Sequence, residues 1–270
     1  LQFFESSAQM ANALRNGEID LVVNDFGPAE RTALEGSEDI TVELGDGGRT
    51  RYIVLDVTQA PFDDPEVRRA MSANIDRQRI IDEVFEGAGQ PLYSMIPPGY
   101  PAHRDYMSEL DVTLDEPVDI ELWYPLNKYG DTEPDLAEAI KRILEETGQF
   151  TVTTESADWA AEYSGNLSNG VYAAYLLGWY PDYIDPDDYI EPFYDSGGFL
   201  GMYDNAEVDA VRAAVQPGRT RMIWADTPTN PRSTTPSATP SGRPRRCSQR
   251  IGGMQITASM AATSTGTSSP

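Results

Sequence analysis

Short runs of strand-forming residues alternate with amphipathic helical stretches along most of the chain, and this alternation limits the possible folds. The strand candidates are residues 19–23, 50–55, 119–124, 150–154 and 171–177. Stretches between them carry apolar residues at the three- and four-residue spacing of a helix with one buried face. Strands that alternate with helices of about 10–15 residues are typical of a sheet covered by helices. The sequence therefore predicts an α/β fold.

Capping residues indicate where the helices begin. Ser, Thr, Asp and Asn side chains accept hydrogen bonds from the first free N–H groups of a helix, and proline fits its first turn. Residues of this kind precede each stretch with helical periodicity. The predicted starts lie at Ser6 or Ser7, Asp64 before Pro65, Asp76, Thr132 before Pro134, and Asn205.

The loop after the last strand candidate is the strongest candidate for a binding site. Residues 178–194 read GWYPDYIDPDDYIEPFY, in which six aromatic residues are interleaved with five acidic ones. A loop at a strand end carries side chains outward, where binding residues tend to lie. Aromatic rings supply rigid contact area, and carboxylates attract cations. The alternative for most of these residues is structural, with rings in the core and acids that are solvated or cap helices.

The charge of the chain limits its partners. Acidic residues outnumber basic ones by 44 to 20, which gives a formal net charge of −24. Such a surface repels nucleic acid and anionic membranes. Abundant Asp with only two lysines, Lys128 and Lys141, favours a halophilic protein, since high salt screens self-repulsion. An ordinary acidic secreted protein is the alternative.

Composition changes abruptly near residue 218. Ser, Thr, Pro, Arg and Gly dominate residues 218–270, and no apolar period is visible there. We expect this segment to be disordered and without function; its change of character also resembles translation in a shifted reading frame. The chain starts without Met and lacks a signal-peptide pattern, so we interpret it as a fragment of a longer protein. Cys247 is the only cysteine, so no intramolecular disulfide can form.

Sequence patterns of catalysis are missing. The chain has no G-x-S-x-G, no P-loop and no G-x-G-x-x-G before a helix. The lone His103 cannot build a His-rich metal site, and we expect it to be exposed. The acids of residues 182–191 do not match EF-hand spacing, although a loose Ca²⁺ site stays open. An acidic hydrolase such as a glycosidase, which needs two facing carboxylates among aromatics, is the alternative function.

Four segments, in order along the chain, together resemble one family. This family is the solute-binding proteins of family 5 of ABC importers, which include dipeptide- and oligopeptide-binding proteins. Each match alone would be weak, but the ordered set is specific. The segments are ALRNGEIDLVV (13–23), APFDDPEVRRAMSANIDRQRIIDEVFEGAG (60–89), SMIPPGYP (94–101) and LLGWYPDYIDPDDYIEPFYDSGG (176–198).

The resemblance implies a periplasmic-binding-protein-like fold of type II, in which two α/β lobes close on a ligand. Residues 1–56 would be the end of a first-lobe section with a strand that crosses between lobes. Residues 57–217 would form most of the second lobe, and residues 218–270 the tail. The implied function is that of a non-enzymatic protein without a cofactor. It would capture peptides, or a related small solute, outside the membrane and deliver them to the permease and ATPase subunits of an importer.

The resemblance also implies the binding residues. In peptide-binding members, the aspartate of a glycine-tryptophan-x-x-aspartate segment pairs with the α-ammonium of the peptide, and Asp182 matches it. Trp179 would add an apolar wall, and Gly178 and Tyr180 flank it. We therefore expect Gly178, Trp179, Tyr180 and Asp182 to bind ligand, with no catalytic or metal-binding residue. Other members carry sugars, nickel or glutathione, so the resemblance does not fix the ligand.

Overall fold

A computed structural model of the chain describes residues 1–22, 26–43, 47–194, 204–215 and 254–258. The helices in this part of the chain are α1 (Ser7–Arg15), α2 (Pro28–Glu35), α3 (Pro65–Asn74), α4 (Arg77–Val84), α5 (Glu133–Glu146), α6 (Ser164–Ser168), α7 (Glu191–Tyr194) and α8 (Ala206–Val215). The strands are β1 (Thr50–Leu55), β2 (Gly89–Pro91), β3 (Val118–Leu126), β4 (Phe150–Asp158), β5 (Ala174–Trp179) and β6 (Met254–Ala258). A π-helix at Trp159–Tyr163 and a 3₁₀ turn at Pro186–Tyr189 complete the described elements.

The strands form one mixed sheet in the order β2-β6-β1-β5-β3-β4. β3 runs parallel to both β4 and β5, whereas β1 is antiparallel to β5 and parallel to β6. The register pairs Thr50 with Trp179 and Arg51 with Gly178. The start of β1 therefore lies beside the end of β5, which is where the predicted binding loop begins.

Most of the predicted helix starts are confirmed by their capping hydrogen bonds. The Ser6 hydroxyl accepts from the Gln9 N–H at 3.2 Å, and the Asp76 carboxylate accepts from the Arg79 N–H at 3.0 Å. Asp64 and Asn205 cap α3 and α8 in the same way. Thr132 precedes α5 as predicted, but its side chain makes no capping bond. Local hydrogen-bond chemistry thus predicts where these helices begin.

Alternate residues of the strands point to opposite sides of the sheet, as the pleat requires. One side, which we call the helix face, packs against α3, α4 and α5. Apart from Phe150 of β4, its buried strand residues are aliphatic: Ile53, Leu55, Ile120, Leu122, Val152, Ala174 and Leu176. The other side, which we call the aromatic face, is rich in rings: Tyr52, Tyr163, Tyr172, Tyr175 and Phe193, with Trp123, Trp159 and Trp179 packed against them. The predicted α/β architecture is confirmed, with the site on the side of the rings.

Two strand predictions need correction. Residues 19–22 form no strand, and Leu21 is 75 % exposed; residue 23 lies outside the described residues. A short apolar run becomes a strand only where a neighbouring strand supplies hydrogen bonds, and the described sheet has no strand beside this run. The predicted strand at 171–177 is shifted, since β5 begins at Ala174 and continues to Trp179. Hydrogen-bonded pairing with β1 determines where β5 begins and ends.

Residues 254–258 differ from the prediction for the tail. They form β6, which pairs with β1 and β2, although residues 218–270 were expected to be disordered. Ile256 and Thr257 are β-branched and favour a strand, and the side of β1 opposite β5 offers backbone groups to pair with. The rest of 218–270, including Cys247, lies outside the described residues, so the expectation of disorder stays a prediction there. No described helix is long and apolar enough to cross a membrane.

Candidate functional site

The end of β5 is held by a hydroxyl that both accepts and donates. Tyr129 accepts a hydrogen bond from the Gly178 N–H at 2.9 Å and donates one to the Gly178 carbonyl oxygen at 3.3 Å. A Cβ atom at position 178 would lie 2.7 Å from Nη1 of Arg51 and 3.1 Å from the Tyr129 ring. Glycine is therefore required at this position by the close approach of both side chains.

Arg51 and Glu133 form a buried ion pair beside this contact. Their exposed fractions are 5 % and 1 %, and the Arg51 guanidinium lies 3.5 Å from the centroid of the Tyr129 ring. Such a placement adds a cation–π interaction to the ion pair. Burial raises the pKa of the Glu133 carboxyl, and the Arg51 charge opposes that rise. Burial likewise raises the pKa of the Tyr129 hydroxyl, which keeps the proton that it donates to Gly178.

A second buried carboxylate fixes the loop that follows β5. One oxygen of Asp188, Oδ2, accepts hydrogen bonds from the Trp179 indole N–H and from the Asp182 backbone N–H, both at 3.1 Å. Asp188 is only 3 % exposed. Loss of water raises the pKa of its carboxyl, and the two hydrogen bonds oppose that rise. The loop from Trp179 to Asp182 is therefore tied back onto the protein by a single side chain.

The Asp182 side chain itself is exposed, as are Tyr183 and Ile184 after it. Its backbone is anchored at Asp188, while its carboxylate faces solvent. A carboxylate on a fixed backbone, close to an aromatic wall, can form a charge-assisted hydrogen bond with a cationic group. This part of the site is suited to a ligand that carries a positive charge.

Tyr180 forms a second aromatic surface next to Tyr129. The two rings are nearly parallel, with an interplanar angle of 8° and centroids 6.5 Å apart. Arg49 donates to the Tyr180 hydroxyl, and its guanidinium carbon lies 4.4 Å from the ring centroid. A small cavity of about 20 Å³, roughly the space of one water, lies among Arg49, Thr50, Arg51, Tyr129 and Tyr180. Tyr180 is thus part of a polar and aromatic wall rather than of the core.

The four residues predicted to bind ligand lie together. Gly178 and Trp179 end β5, and Tyr180 and Asp182 follow in the loop; their role in binding stays a prediction. Within the described ranges, no group of three or more His, Cys, Asp and Glu residues is arranged to hold a metal ion. His103 corrects an expectation: it is partly buried, with Nδ1 2.6 Å from the Ile96 carbonyl oxygen, because the proline-rich loop folds over it.

Sequence reasoning missed the residues that support the site: Arg51, Tyr129, Glu133 and Asp188. Asp188 stood among the acids of the loop, with no signal to separate it from its exposed neighbours. Arg51 and Glu133 are far apart in the chain and meet only because β1 pairs with β5 and α5 follows β3. The one available signal was Arg51, a charged residue inside an otherwise apolar strand. Because charged residues are rarely buried without a partner, this position indicated that an oppositely charged residue lies nearby.

A model of the family described as bacterial extracellular solute-binding proteins, family 5 Middle, matches residues 1–201. The chain is 29 % identical over 209 residues to di/tripeptide-binding protein 3 of Pseudomonas aeruginosa (strain UCBPP-PA14), a match that covers 72 % of this chain and 39 % of that protein. It is 25 % identical to heme-binding protein A of Haemophilus influenzae, covering 61 % of this chain and 33 % of the relative. The chain thus spans about two fifths or less of the length of these relatives.

Solved structures show the same fold. The periplasmic binding protein DppA from Helicobacter pylori, in complex with the peptide STSA, aligns with a TM-score of 0.65 at 21 % identity, covering 78 % of this chain and 44 % of DppA. The binding protein AgaA from A. tumefacien R10, in complex with agropinic acid, aligns with a TM-score of 0.62 at 20 % identity, covering 77 % and 45 %. These likenesses confirm the predicted periplasmic-binding-protein-like fold.

Proposed function

The chain belongs to the bacterial extracellular solute-binding proteins of family 5, and we propose that it forms one wall of the ligand site in a protein that captures peptides, or a related small solute, for an ABC importer. The work of such a wall is binding, not catalysis. The family name and the names of the relatives are those of binding proteins, and the hydrolase alternative gains no support from them.

The observation that carries the proposal is that one oxygen of Asp188 ties the Trp179 indole to the backbone of Asp182, a residue that is exposed. The backbone of Asp182 is fixed by Asp188, so the carboxylate is presented from one position. In a closing cleft with little water, a carboxylate selects a cation through charge-assisted hydrogen bonds. Trp179 supplies an apolar wall, Tyr180 extends it, and Gly178 lets the strand end pack closely against Arg51 and Tyr129.

A free α-ammonium group is the ligand feature that fits Asp182 best. Two of the proteins named above support a peptide, since one relative is called a di/tripeptide-binding protein and one solved structure holds the peptide STSA. Others are named for heme binding or hold agropinic acid, so the family scaffold carries several ligand classes. Short peptides with a free amino terminus are our first choice.

The domain boundaries and the partners belong to the same proposal. Residues 1–56 would end a first-lobe section and cross at β1, and residues 57–217 would form most of the second lobe. A cleft with one wall buries about half of a ligand, whereas binding pockets usually bury about 70–90 %. Binding therefore needs a full-length protein with both lobes. It would work outside the cytoplasmic membrane with a permease and an ATPase.

Replacing Asp182 by asparagine in that full-length protein tests the proposal. Asp182→Asn keeps the shape and removes the charge, and loss of one desolvated partner of a charge pair costs about 2–5 kcal/mol. We expect the affinity for a free-amine dipeptide to fall roughly 30-fold or more by titration calorimetry. N-acetylation of the peptide should give a similar loss with the wild type but little further loss with the variant, since both changes remove one contact.

Asp119→Asn is the matched control, because Asp119 is an exposed aspartate in β3, outside the loop. It makes the same change in net charge and should leave peptide affinity unchanged. Full affinity for free-amine peptides in Asp182→Asn would sink the proposal, as would a natural ligand without a cationic group.

A further inference from the structure

We propose that Asp188 is a positioning residue of this site: it fixes the Trp179 ring and the backbone of Asp182 and does not itself contact the ligand. The consequence for affinity rests on the proposed function, whereas the positioning itself can be measured without any ligand. The loop sequence does not distinguish Asp188 from Asp182, Asp185 and Asp187. The hydrogen bonds of Asp188 in the folded structure do.

One oxygen atom joins two chemically different parts of the site. Oδ2 of Asp188 accepts from the indole N–H of Trp179 at the end of β5 and from the backbone N–H of Asp182 in the loop. A shared acceptor sets the distance between these two donors. The Trp179 indole and the backbone that carries the Asp182 side chain therefore keep one relative arrangement as long as Asp188 stays in place.

Hydrogen bonds within its own turn and from the neighbouring Tyr189 hold Asp188 in place. It lies in the 3₁₀ turn Pro186–Tyr189, where Asp185 accepts from the Asp187 N–H at 3.2 Å and from the Asp188 N–H at 3.2 Å. The next residue, Tyr189, is fully buried and donates its hydroxyl proton to the Gly48 carbonyl oxygen at 2.6 Å. The turn is thus anchored to the segment that leads into β1, which makes Asp188 a fixed point and not part of a moving loop.

Burial assigns different roles to the two carboxylates. Asp188 is 3 % exposed, so its oxygens are out of reach of a ligand on the surface, while Asp182 is exposed. Trp179 has a second support in Phe193, whose ring meets it edge-on at 5.2 Å between centroids. Removing Asp188 would take away the acceptor of the Trp179 indole N–H and would free the backbone of Asp182.

The test compares Asp188→Ala, which removes the acceptor, with Asp188→Asn, which keeps one acceptor oxygen. The first measurement needs no ligand: the indole N–H resonance of Trp179, assigned with Trp179→Phe, reports its hydrogen bond by chemical shift and exchange rate with water. We expect the wild type and Asp188→Asn to show a bonded, slowly exchanging indole proton. Asp188→Ala should show a free one with faster exchange.

The second measurement is affinity in the full-length protein for alanyl-alanine and for its N-acetyl derivative. We expect Asp188→Ala to lose roughly tenfold or more for the free amine, since hydrogen bonds to charged groups are the stronger ones, and Asp188→Asn to stay within about threefold. If Asp188→Ala does not fold, Asp188→Leu takes its place, because leucine has a similar shape and offers no hydrogen-bond acceptor.

Two results would overturn the positioning role. One is an indole resonance unchanged in Asp188→Ala. The other is an equal loss of affinity in Asp188→Asn and Asp188→Ala, which would mean that the charge acts on the ligand directly. Failure of the proposed function has a different signature: the wild type would not prefer the free amine over the acetylated peptide, while the indole resonance would still respond to Asp188.

Discussion

The two faces of the sheet bury different kinds of side chain. On the helix face, aliphatic side chains from β1, β3 and β5 pack against α3, α4 and α5. These side chains have no polar atoms, so close packing against other apolar groups is all that their burial requires. On the aromatic face, the same strands bury rings that carry polar atoms. Within the described residues, the hydroxyls of Tyr52 and Tyr175 have no hydrogen-bond partner. Polar groups of this kind lower stability unless they are paired.

Two buried arginines differ in the same respect, because one has neutral partners and the other has a charged partner. Arg77, near the helix face, donates to the backbone carbonyl oxygens of Leu92, Ser72 and Ile75, and burial lowers its pKa to about 10. Arg51, at the start of β1 beside the end of β5, instead pairs with the carboxylate of Glu133. Neutral acceptors fit a purely structural role. A buried charge pair next to Gly178 indicates that part of the folding free energy is used to shape the site, a common compromise at functional sites.

The largest effect we expect comes from breaking that pair. Arg51→Met leaves Glu133 buried without its counter-ion, and such a loss costs about 3–5 kcal/mol. The double variant Arg51→Met/Glu133→Met should recover most of this, because replacing both charges by apolar groups is often neutral or stabilising. Urea unfolding of the three proteins checks it; a double variant no better than Arg51→Met would refute the pairing.

The pH dependence of Arg51→Met distinguishes the buried ion pair from the apolar core of the helix face. The folded-state pKa of Glu133 lies above its ordinary value of 4.5, and the loss of Arg51 raises it further. The buried charge therefore lowers stability above the folded-state pKa, and this penalty is relieved as the pH falls through that pKa. Ile140→Ala on the helix face, where truncation costs about 2–5 kcal/mol, is the control: its loss should not change with pH. Equal pH profiles for the two variants would show that the loss of stability in Arg51→Met does not come from a buried Glu133 charge.

A glycine contact gives the next largest effect. Gly178→Ala puts a methyl group 2.7 Å from Nη1 of Arg51, which the ion pair and the Tyr129 ring hold in place, so the strand end must shift. Overpacking of this kind costs about 1–3 kcal/mol. Gly165→Ala in α6 is the control, since nothing lies within 4 Å of its added Cβ and alanine favours a helix by about 0.5–1 kcal/mol. A Gly178→Ala protein as stable as the wild type would show that Arg51 is not fixed.

Sequence reasoning works well where the cause is local. The caps at Ser6, Asp64, Asp76 and Asn205 act within three residues of themselves, and the loop at Gly178 follows a strand that its own composition favours. It fails where the cause lies elsewhere in the chain. In the described sheet no strand lies beside residues 19–22, and the ends of β5 are set by its pairing with β1. The family resemblance indicated Asp182, but the hydrogen bonds that hold it start from Asp188, which only the folded loop brings back to Trp179.

The smallest effect we expect is the change in stability caused by Asp188→Asn. Whether this variant is more or less stable than the wild type decides how the buried charge is interpreted. The folded-state pKa of its carboxyl lies above the ordinary value of 3.8, so the charged form costs stability at neutral pH. In the wild type this cost disappears as the pH falls through the folded-state pKa, and below 3.8 both states are protonated and no further change follows. Asp188→Asn keeps an acceptor for Trp179 and Asp182 but carries no charge.

Asp188→Asn should therefore be slightly more stable than the wild type at pH 7, and the difference should shrink as the pH falls toward 3.8. Thermal unfolding of both proteins between pH 3.5 and roughly pH 7 measures it. Asp185→Asn is a useful contrast, because Asp185 is exposed and caps the same turn, so its substitution makes the same change in net charge without removing a buried carboxylate. If Asp188→Asn were less stable at pH 7, the charge would stabilise the folded loop, and the aromatic face would hold this carboxylate without cost.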